Sequence, residues 1–380
     1  MNDLNSLVVP EITVEKTDRF KGIALIMMFW HHLFGCDMLN NWSATIPGAE
    51  GFAYVIGASC NICVSMFLFC SGYGMYKTYI SKEKAPGKYV LRRLIKTFIS
   101  YWLIMLFAII YLIIVKRFEP RYLLINLFVL YTYDDKLYVS FAWFIMIYAS
   151  YILLLPLVRT IERKKKGNAL IDIILYVVLP LVIGISLAFV KRPEVIRNAP
   201  FDLFDDLHKV MSWFPLFAYG MLFAKYKTYE HVCKHTNKHS RILIVILCLL
   251  VIGYILYLRF YIDTVFSGTG INAGCLSDVF FSPVFICAVF LALDNIRVRS
   301  NYLLPFLGEK SLYYWLFSSM FFKNTSELQF LITWPRITVL ILIWTFILLT
   351  PFVFGFSYIS DKLIKVISVK LLNAKTSKVK

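Results

Sequence analysis

Residues 97–115 read TFISYWLIMLFAIIYLIIV and contain no formally charged side chain. A helix of about 20 such residues is long enough to cross the hydrocarbon core of a bilayer. The rest of the chain has the same character, because 59% of its 380 residues are hydrophobic and 17% are charged. A soluble domain averages about 45–50% hydrophobic and about 25% charged residues. The composition therefore excludes an ordinary soluble fold and predicts a membrane protein.

Apolar stretches of similar length recur along the chain and predict an all-α integral membrane protein. We expect a bundle of about ten transmembrane helices, at residues 22–38, 59–76, 97–115, 139–158, 169–190, 209–226, 242–259, 276–293, 302–322 and 337–358. The apolar stretch 122–133 is too short to cross and is expected to form a re-entrant or interfacial helix. Residues 22–358 then form one membrane domain, between an N-terminal segment (1–21) and a basic tail (359–380).

The basic residues are distributed unevenly among the expected loops. The chain has 40 Lys and Arg residues against 23 Asp and Glu residues, a formal net charge of +17. Of the basic residues, 28 lie on the side of the expected spans that holds both termini, and 11 lie on the opposite side. Since cytoplasmic loops carry the excess of Lys and Arg, both termini are predicted to be cytoplasmic. The positive charge is thus a topology signal, and no nucleic acid partner is expected.

The first expected span contains two histidines, His31 and His32, near its middle. Ionisable groups at this depth are costly and are candidates for function. Lys21 and His32 are eleven residues apart, so they point in nearly the same direction and lie about 16 Å apart along the helix axis. Asp18 extends this stripe, whereas His31 points about 80° away from it and is expected to hydrogen-bond a neighbouring helix. Such a stripe suits a long acyl donor, with its phosphates at the cytoplasmic rim and its acyl group at His32.

Two later segments carry further polar candidates. Ser71-Gly72-Tyr73-Gly74 lies in the second expected span, where small residues let helices pack closely and need no further function. The loop that follows, from Lys77 to Lys96, is the most basic of the chain. Its charges either orient the protein and contact anionic lipid, or form a phosphate clamp from Arg92, Arg93 and Lys96 where the third span begins.

Five short strings follow one another along the chain: Asp18-Arg19-Phe20-Lys21-Gly22-Ile23-Ala24 with His32 behind it, Phe67-Leu68-Phe69-Cys70-Ser71-Gly72-Tyr73, Tyr89-Val90-Leu91-Arg92-Arg93-Leu94-Ile95-Lys96, Ala142-Trp143-Phe144, and Phe306-Leu307-Gly308-Glu309-Lys310-Ser311-Leu312-Tyr313. In this order they resemble the motifs of the acyltransferase 3 family of integral-membrane acyltransferases. Those motifs are a basic residue eleven positions before a His, F-F-x-x-S-G-[FY], a basic motif opening the third span, L-W-F, and L-G-x-x-S-x-x-[IY]. The order of the five strings, in a chain with ten expected spans, makes the resemblance fairly specific.

The resemblance implies that residues 22–358 form a ten-helix acyltransferase domain. Such an enzyme takes an acyl group, usually acetyl, from coenzyme A on the cytoplasmic side and transfers it to a hydroxyl of a cell-surface or lipid-linked glycan. The implied partners are therefore acyl-CoA as co-substrate, with no bound cofactor, a glycan acceptor and the bilayer, as a multi-pass protein of a bacterial inner or cytoplasmic membrane. Matched position by position, the family's essential His is His32 and its frequent Arg is Lys21. Its basic motif corresponds to Arg92, Arg93 and Lys96, and the supporting residues would be Asp18, His31, Ser71 and Tyr73.

The chain departs from the family pattern at two positions. Phe317 occupies the place where the late signature usually continues to a His, so a second catalytic imidazole has no candidate there. Ile99 stands where a Pro is common. The tail after Asp361 is short and basic, so the chain is expected to resemble the stand-alone members, which have no appended hydrolase-like domain.

Other ionisable groups lie at or inside the expected spans. They are Asp278 in the eighth span and the neighbours Glu309 and Lys310 in the ninth. Adjacent residues of a continuous helix do not face each other, so Glu309 and Lys310 are each expected to need another partner.

Two further points concern the state of the cysteines and an alternative function. The eight cysteines lie mostly in apolar runs and are expected to be thiols, and no metal site is predicted because Cys60-x-x-Cys63 has no second pair. A transporter or flippase of a lipid-linked glycan is the alternative function, since it too would be a ten-span bundle with polar groups at the midplane.

Overall fold

A computed structural model of the protein describes residues 11–36, 51–84, 88–130, 136–165, 167–190, 203–236, 238–266, 273–296, 302–322 and 328–373. All regular structure within these ranges is helical. In chain order the α-helices are α1 (Val14–Trp30), α2 (Phe52–Ser59), α3 (Cys63–Met75), α4 (Tyr89–Ile114), α5 (Leu123–Phe128), α6 (Trp143–Lys164), α7 (Ala169–Ile173), α8 (Leu179–Ala188), α9 (Leu203–Tyr226), α10 (Thr228–Thr236), α11 (Arg241–Val265), α12 (Ala273–Asn295), α13 (Leu303–Glu309), α14 (Ser311–Phe322), α15 (Gln329–Thr333) and α16 (Thr338–Asn373).

Short turns of other helical types extend or join several of these helices. A π-helical turn (His31–Gly35) continues α1, another (Tyr76–Ile80) continues α3, and a third (Ile174–Val178) joins α7 to α8. A 3₁₀ turn (Cys60–Ile62) joins α2 to α3. Two more 3₁₀ turns, Pro120–Tyr122 and Ser140–Ala142, precede α5 and α6.

Seven helical stretches are long and apolar enough to cross a membrane. They are Phe52–Ile80, Tyr89–Ile114, Ser140–Lys164, Ala169–Ala188, Arg241–Val265, Leu276–Asn295 and Thr338–Ile367. This confirms an all-α membrane fold, whereas the number of about ten spans and the cytoplasmic termini stay predictions. The short helix α5 lies within the stretch expected not to cross.

The other three expected spans differ from these seven for identifiable reasons. The first two turns of α1 carry five charged residues, Glu15, Lys16, Asp18, Arg19 and Lys21. The first turn of α9 carries Asp205 and Asp206. The ninth expected span is divided at Lys310, which separates α13 from α14. Charge lowers the mean hydropathy of a helix, and a break shortens the continuous helix, although each of these segments packs inside the bundle.

Close helix crossings at glycine hold the centre of the bundle together. A Cβ added at Gly72 of α3 would overlap the Phe217 carbonyl oxygen of α9, and one at Gly220 of α9 would overlap the Phe69 carbonyl oxygen of α3. Small residues allow this approach, and between membrane helices the packing itself supplies much of the attraction. The crossing buries Phe69 and Phe217, both fully shielded from solvent. None of the cysteines with described side chains forms a disulfide, and the side chain of Cys275 lies outside the described part.

Substitution at this crossing is predicted to destabilise the fold. Gly220→Val places side-chain atoms where α3 backbone already lies, and overpacking of this kind costs about 1–3 kcal/mol or more. Gly253→Val in α11 is the matched control, because an added Cβ there meets nothing within 4 Å. We expect the detergent-solubilised Gly220→Val protein to unfold at a lower temperature than wild type and Gly253→Val to unfold with wild type. Equal unfolding temperatures for the two variants would contradict the close approach of α3 and α9 at Gly220.

Candidate active site

A cavity of about 610 Å³ lies between α1, α3, α4, α6, α13, α14 and α16. Its walls carry the five cationic side chains of Lys21, Arg92, Arg93, Lys96 and Lys310, against the two carboxylates of Glu309 and Asp361. Cavities of about 300–1,000 Å³ are typical of small-molecule sites. The excess of positive charge favours an anionic ligand.

The first turns of α4 supply three of the cations, and the structure separates them into two kinds. Arg93 is fixed, because its Nε donates to the Tyr89 hydroxyl at 3.0 Å and its Nη1 donates to the Tyr148 hydroxyl at 2.7 Å. Arg92 and Lys96, one turn apart, are exposed and have no carboxylate partner among the described residues. These two side chains are therefore available to bind an anion at the mouth of the cavity.

Lys21 reaches the cavity because α1 and α13 cross at two glycines. A Cβ at Gly308 would overlap the Asp18 carbonyl oxygen, and one at Gly22 would overlap the Leu304 carbonyl oxygen. The Lys21 ammonium lies 2.7 Å from the Asp18 carboxylate. Two of the quoted strings, around Lys21 and around Gly308, thus meet at one crossing that positions this cation.

The predicted separation of Glu309 and Lys310 is wrong. The Lys310 ammonium lies 2.8 Å from the Glu309 carboxylate. Adjacent residues meet here because α13 ends at Glu309, and Lys310, with φ −94° and ψ 7°, lies outside helical geometry. The Ser311 hydroxyl donates to the Gly308 carbonyl at 2.8 Å and supports the same break.

The supporting residues of the second span lie at different places. Ser71 lines the cavity, and its hydroxyl donates to the Phe67 carbonyl of its own helix at 2.8 Å. Tyr73 is not among the described residues that line the cavity. Tyr73 lies near the N-terminal segment instead, and the Lys77 ammonium lies over its ring. Lys77 also pairs with the Glu11 carboxylate at 2.8 Å, and this ion pair lowers the pKa of Glu11.

His32 lies beyond the inner wall of the cavity on the same group of helices. Its ring stacks on Phe141, with centroids 4.0 Å apart and planes at 16°, and lies 6.3 Å from the Phe322 ring. Phe141 precedes the wall residue Phe144 by one turn, and Phe322 follows the wall residue Trp315 by two turns, or about 10 Å. Three helices therefore run from the cationic cavity to this imidazole.

His31 and Cys36 flank His32 in the π-helical turn. The Nδ1 atom of His31 is 2.8 Å from the Gly57 carbonyl oxygen of α2, and the Nδ1 atom of His32 is 3.7 Å from the Cys36 sulfur. The ligating atoms of His31, His32 and Cys36 all lie within 4.8 Å of one another, so this cluster is the place among the described residues where a metal ion would find three ligands. The sequence analysis did not single out Cys36. π-helical turns in α-helices are frequent at functional sites.

Phe317 is fully buried in an aromatic cluster. Its ring centroid lies 6.0 Å from Phe107, 5.9 Å from Phe352 and 4.6 Å from Phe356. Apolar packing therefore occupies the position at which the related motif usually has an imidazole.

Several residues that line the cavity were given no role in the site by the sequence analysis. Tyr148, Tyr313, Trp315 and Asp361 line it, and the hydroxyls of Tyr313 and Ser360 both lie 3.0 Å from the Ser100 hydroxyl. These contacts join α4, α14 and α16, which are far apart in the chain. Lys310 and the aromatic partners of His32 are brought in by the same tertiary packing, for which no local pattern exists.

The family model of the acyltransferase domain (acyltransferase 3) matches residues 15–361, nearly the whole chain. The chain belongs to the acyltransferase 3 family. It is therefore a membrane acyltransferase. The match spans α1 to α16 and so includes both the cationic cavity and His32. Comparison with curated proteins and with solved structures finds no match.

The cations at the mouth of this acyltransferase are predicted to bind polyphosphate. Arg92→Gln and Lys96→Gln each remove one charge-assisted contact, worth about 1.5–3 kcal/mol, so each is expected to raise the Kd for inorganic pyrophosphate about tenfold or more. Arg121→Gln is the control, because Arg121 is exposed, pairs with Glu119 and lies outside the cavity. Calorimetric titration of the purified wild type and the three variants measures the Kd for pyrophosphate of each protein. Wild-type affinity in both cavity variants would refute the assignment.

Proposed function

We propose that the protein transfers an acyl group, acetyl in the simplest case, from acyl-CoA on the cytoplasmic side of a bacterial inner membrane to a hydroxyl of a cell-surface or lipid-linked glycan. The single observation that supports this proposal is that α1, α6 and α14 each line a cavity rich in cations and lead from it to the surroundings of a partly buried imidazole. Membership of the acyltransferase family supports the reaction class. It gives no support to the alternative of a lipid-linked glycan transporter.

The two ends of the site suit the two ends of an acyl-CoA molecule. Phosphates favour bidentate and charge-assisted contacts, which Arg92, Lys96 and the tyrosine-fixed Arg93 can make. The inner wall of the cavity is apolar, with Phe67, Ile145, Leu312 and Trp315 among its residues. A flexible, mostly uncharged pantetheine arm would lie along this wall, and the thioester would reach His32.

His32 is the general base of the proposed reaction. Its Nδ1 faces the Cys36 sulfur, so Nε2 is the nitrogen left to meet substrate. Nε2 takes the proton of the acceptor hydroxyl while the hydroxyl oxygen attacks the thioester carbonyl carbon. The carbon–sulfur bond to coenzyme A then breaks, and the imidazolium returns the proton to the departing thiolate. Stacking on Phe141 holds the ring plane during this exchange.

Transfer of label from radiolabelled acetyl-CoA tests the proposal. Membranes carrying wild type or His32→Ala are given native envelope material, and counts are followed into the glycan, lipid and protein fractions. Loss of a general base lowers a rate by about 10²–10⁴-fold, so His32→Ala is expected to leave almost no labelled glycan or lipid.

His208→Ala is the matched control for this experiment. The Nδ1 atom of His208 lies 2.7 Å from the Gly184 carbonyl oxygen of another helix, so it is also a membrane-domain histidine bonded to a neighbour, but it does not line the cavity. We expect His208→Ala to transfer label as wild type does. Absence of labelled acceptor with correctly inserted wild type, or full transfer by His32→Ala, would refute the proposal.

A further inference from the structure

A fully buried ion pair joins α11 and α12 in the membrane domain. The Arg259 Nε lies 2.7 Å from an Asp278 carboxylate oxygen, and the two side chains are 1% and 0% exposed. The Ser65 hydroxyl donates to the second Asp278 oxygen at 3.3 Å, and Asp263 approaches the same guanidinium at 3.2 Å. The sequence analysis singled out Asp278 alone, and Arg259 is the last residue of the expected span 242–259.

Arg259 also donates to the backbone of a third helix. Its Nη1 lies 3.0 Å from the Ala58 carbonyl oxygen and 3.4 Å from the Ser59 carbonyl oxygen. Both carbonyls lie where α2 gives way to the 3₁₀ turn Cys60–Ile62. A helix break inside a membrane leaves carbonyls without their usual amide donors, and such groups must be satisfied by other protein groups. Arg259 does this for the end of α2.

The same end of α2 supports the π-helical turn that carries His32. The Gly57 carbonyl, next to Ala58, accepts the hydrogen bond from His31 Nδ1 at 2.8 Å. A Cβ at Gly35 would overlap the Gly57 backbone, so the π-helical turn lies in backbone contact with the last turn of α2. The contacts run without interruption from Asp278 through Arg259 and the end of α2 to His31, the neighbour of His32.

Stability alone is a poor reason for this pair. Replacing a buried ion pair by apolar side chains of similar size is often neutral or stabilising, because desolvation offsets most of the charge attraction. The pair does one thing that apolar residues cannot do, since leucine offers no donor to Ala58 and Ser59. Its specific contribution is therefore the placement of the end of α2.

We propose that Arg259, oriented by Asp278, is a positioning residue for the acyl transfer at His32. The guanidinium fixes the end of α2, α2 fixes His31 and Gly35, and the turn between them holds the His32 imidazole in line with the cavity. This inference rests on the proposed function for its kinetic consequence. Its geometric content is that Arg259 fixes the position of the π-helical turn His31–Gly35, and this part does not depend on which reaction the protein catalyses.

The double variant Arg259→Leu/Asp278→Leu tests the proposal, because it removes both charges and keeps the helices apolar. The matched control is Lys225→Leu/Asp172→Leu, which removes another ion pair of the membrane domain, between α7 and α9, whose side chains are 14% and 0% exposed and do not touch α2. For each protein we would measure kcat and KM for acetyl-CoA. We would also measure the rate at which diethyl pyrocarbonate modifies His31 and His32, by mass spectrometry.

We expect the first double variant to lose kcat about tenfold or more, because displacement of a reacting group by about 1 Å can cost about 10²-fold. KM for acetyl-CoA should stay near the wild-type value, since none of the altered residues lines the cavity. His31 should be modified faster by diethyl pyrocarbonate, because its hydrogen bond to Gly57 is loosened. Adding His31→Ala to this variant should lower kcat little further, as expected for residues acting in one chain of contacts.

Three results would overturn the inference. They are an unchanged kcat with unchanged histidine modification, an equal change in the control pair, and a rise in KM as the main effect. If wild type transfers no label, the proposed function fails, and the modification rates alone then decide whether Arg259 positions the turn. Faster modification only in the Arg259→Leu/Asp278→Leu protein would uphold the geometric content.

Discussion

A bilayer offers no hydrogen-bond partners, so each polar group inside the membrane domain must find its partner within the protein. This constraint explains where the irregular backbone lies. The π-helical turn after α1 lies against the last turn of α2, just before the 3₁₀ turn that follows α2. Side chains complete the arrangement, with His31 donating to the Gly57 carbonyl and Arg259 donating to the Ala58 carbonyl near the end of α2. The His32 imidazole thus lies where the backbone departs from α-helical geometry.

Much of the fold followed from local sequence. Unbroken apolar stretches predicted the helices because the length of such a stretch is a direct measure of its ability to cross a bilayer. The periodicity of α1 and the motifs also brought Lys21, Ser71, Arg92, Arg93 and Lys96 into one set, and the structure collects these residues around one cavity. Helical spacing relates residues of one helix, such as Lys21 and His32, whereas the grouping of residues from different helices came from the family resemblance.

The remainder depended on contacts between distant segments. Lys310 pairs with Glu309 because α13 stops where Gly308 meets α1, and a hydropathy profile does not register that stop. Arg259 stood at the end of an expected span, yet its burial depends on Asp278 and on the carbonyls of α2. Tyr73 belonged to a motif but faces the N-terminal segment and not the cavity. No local pattern encodes the partner of a polar residue when that partner is on another helix.

The different surroundings of the cavity cations also imply a dependence on ionic strength. Arg92 and Lys96 are exposed at the mouth, where salt at about 0.15 M screens charge over about 8 Å, whereas Arg93 is fixed between two tyrosines and is shielded. If the proposed anionic donor binds here, its attraction from solution depends on the outer pair and weakens as counterions accumulate. Retention of an anion that has already entered depends more on the inner guanidinium and changes less. Association and dissociation of the same ligand then depend on different side chains. A change in salt concentration alters the association rate far more than the dissociation rate.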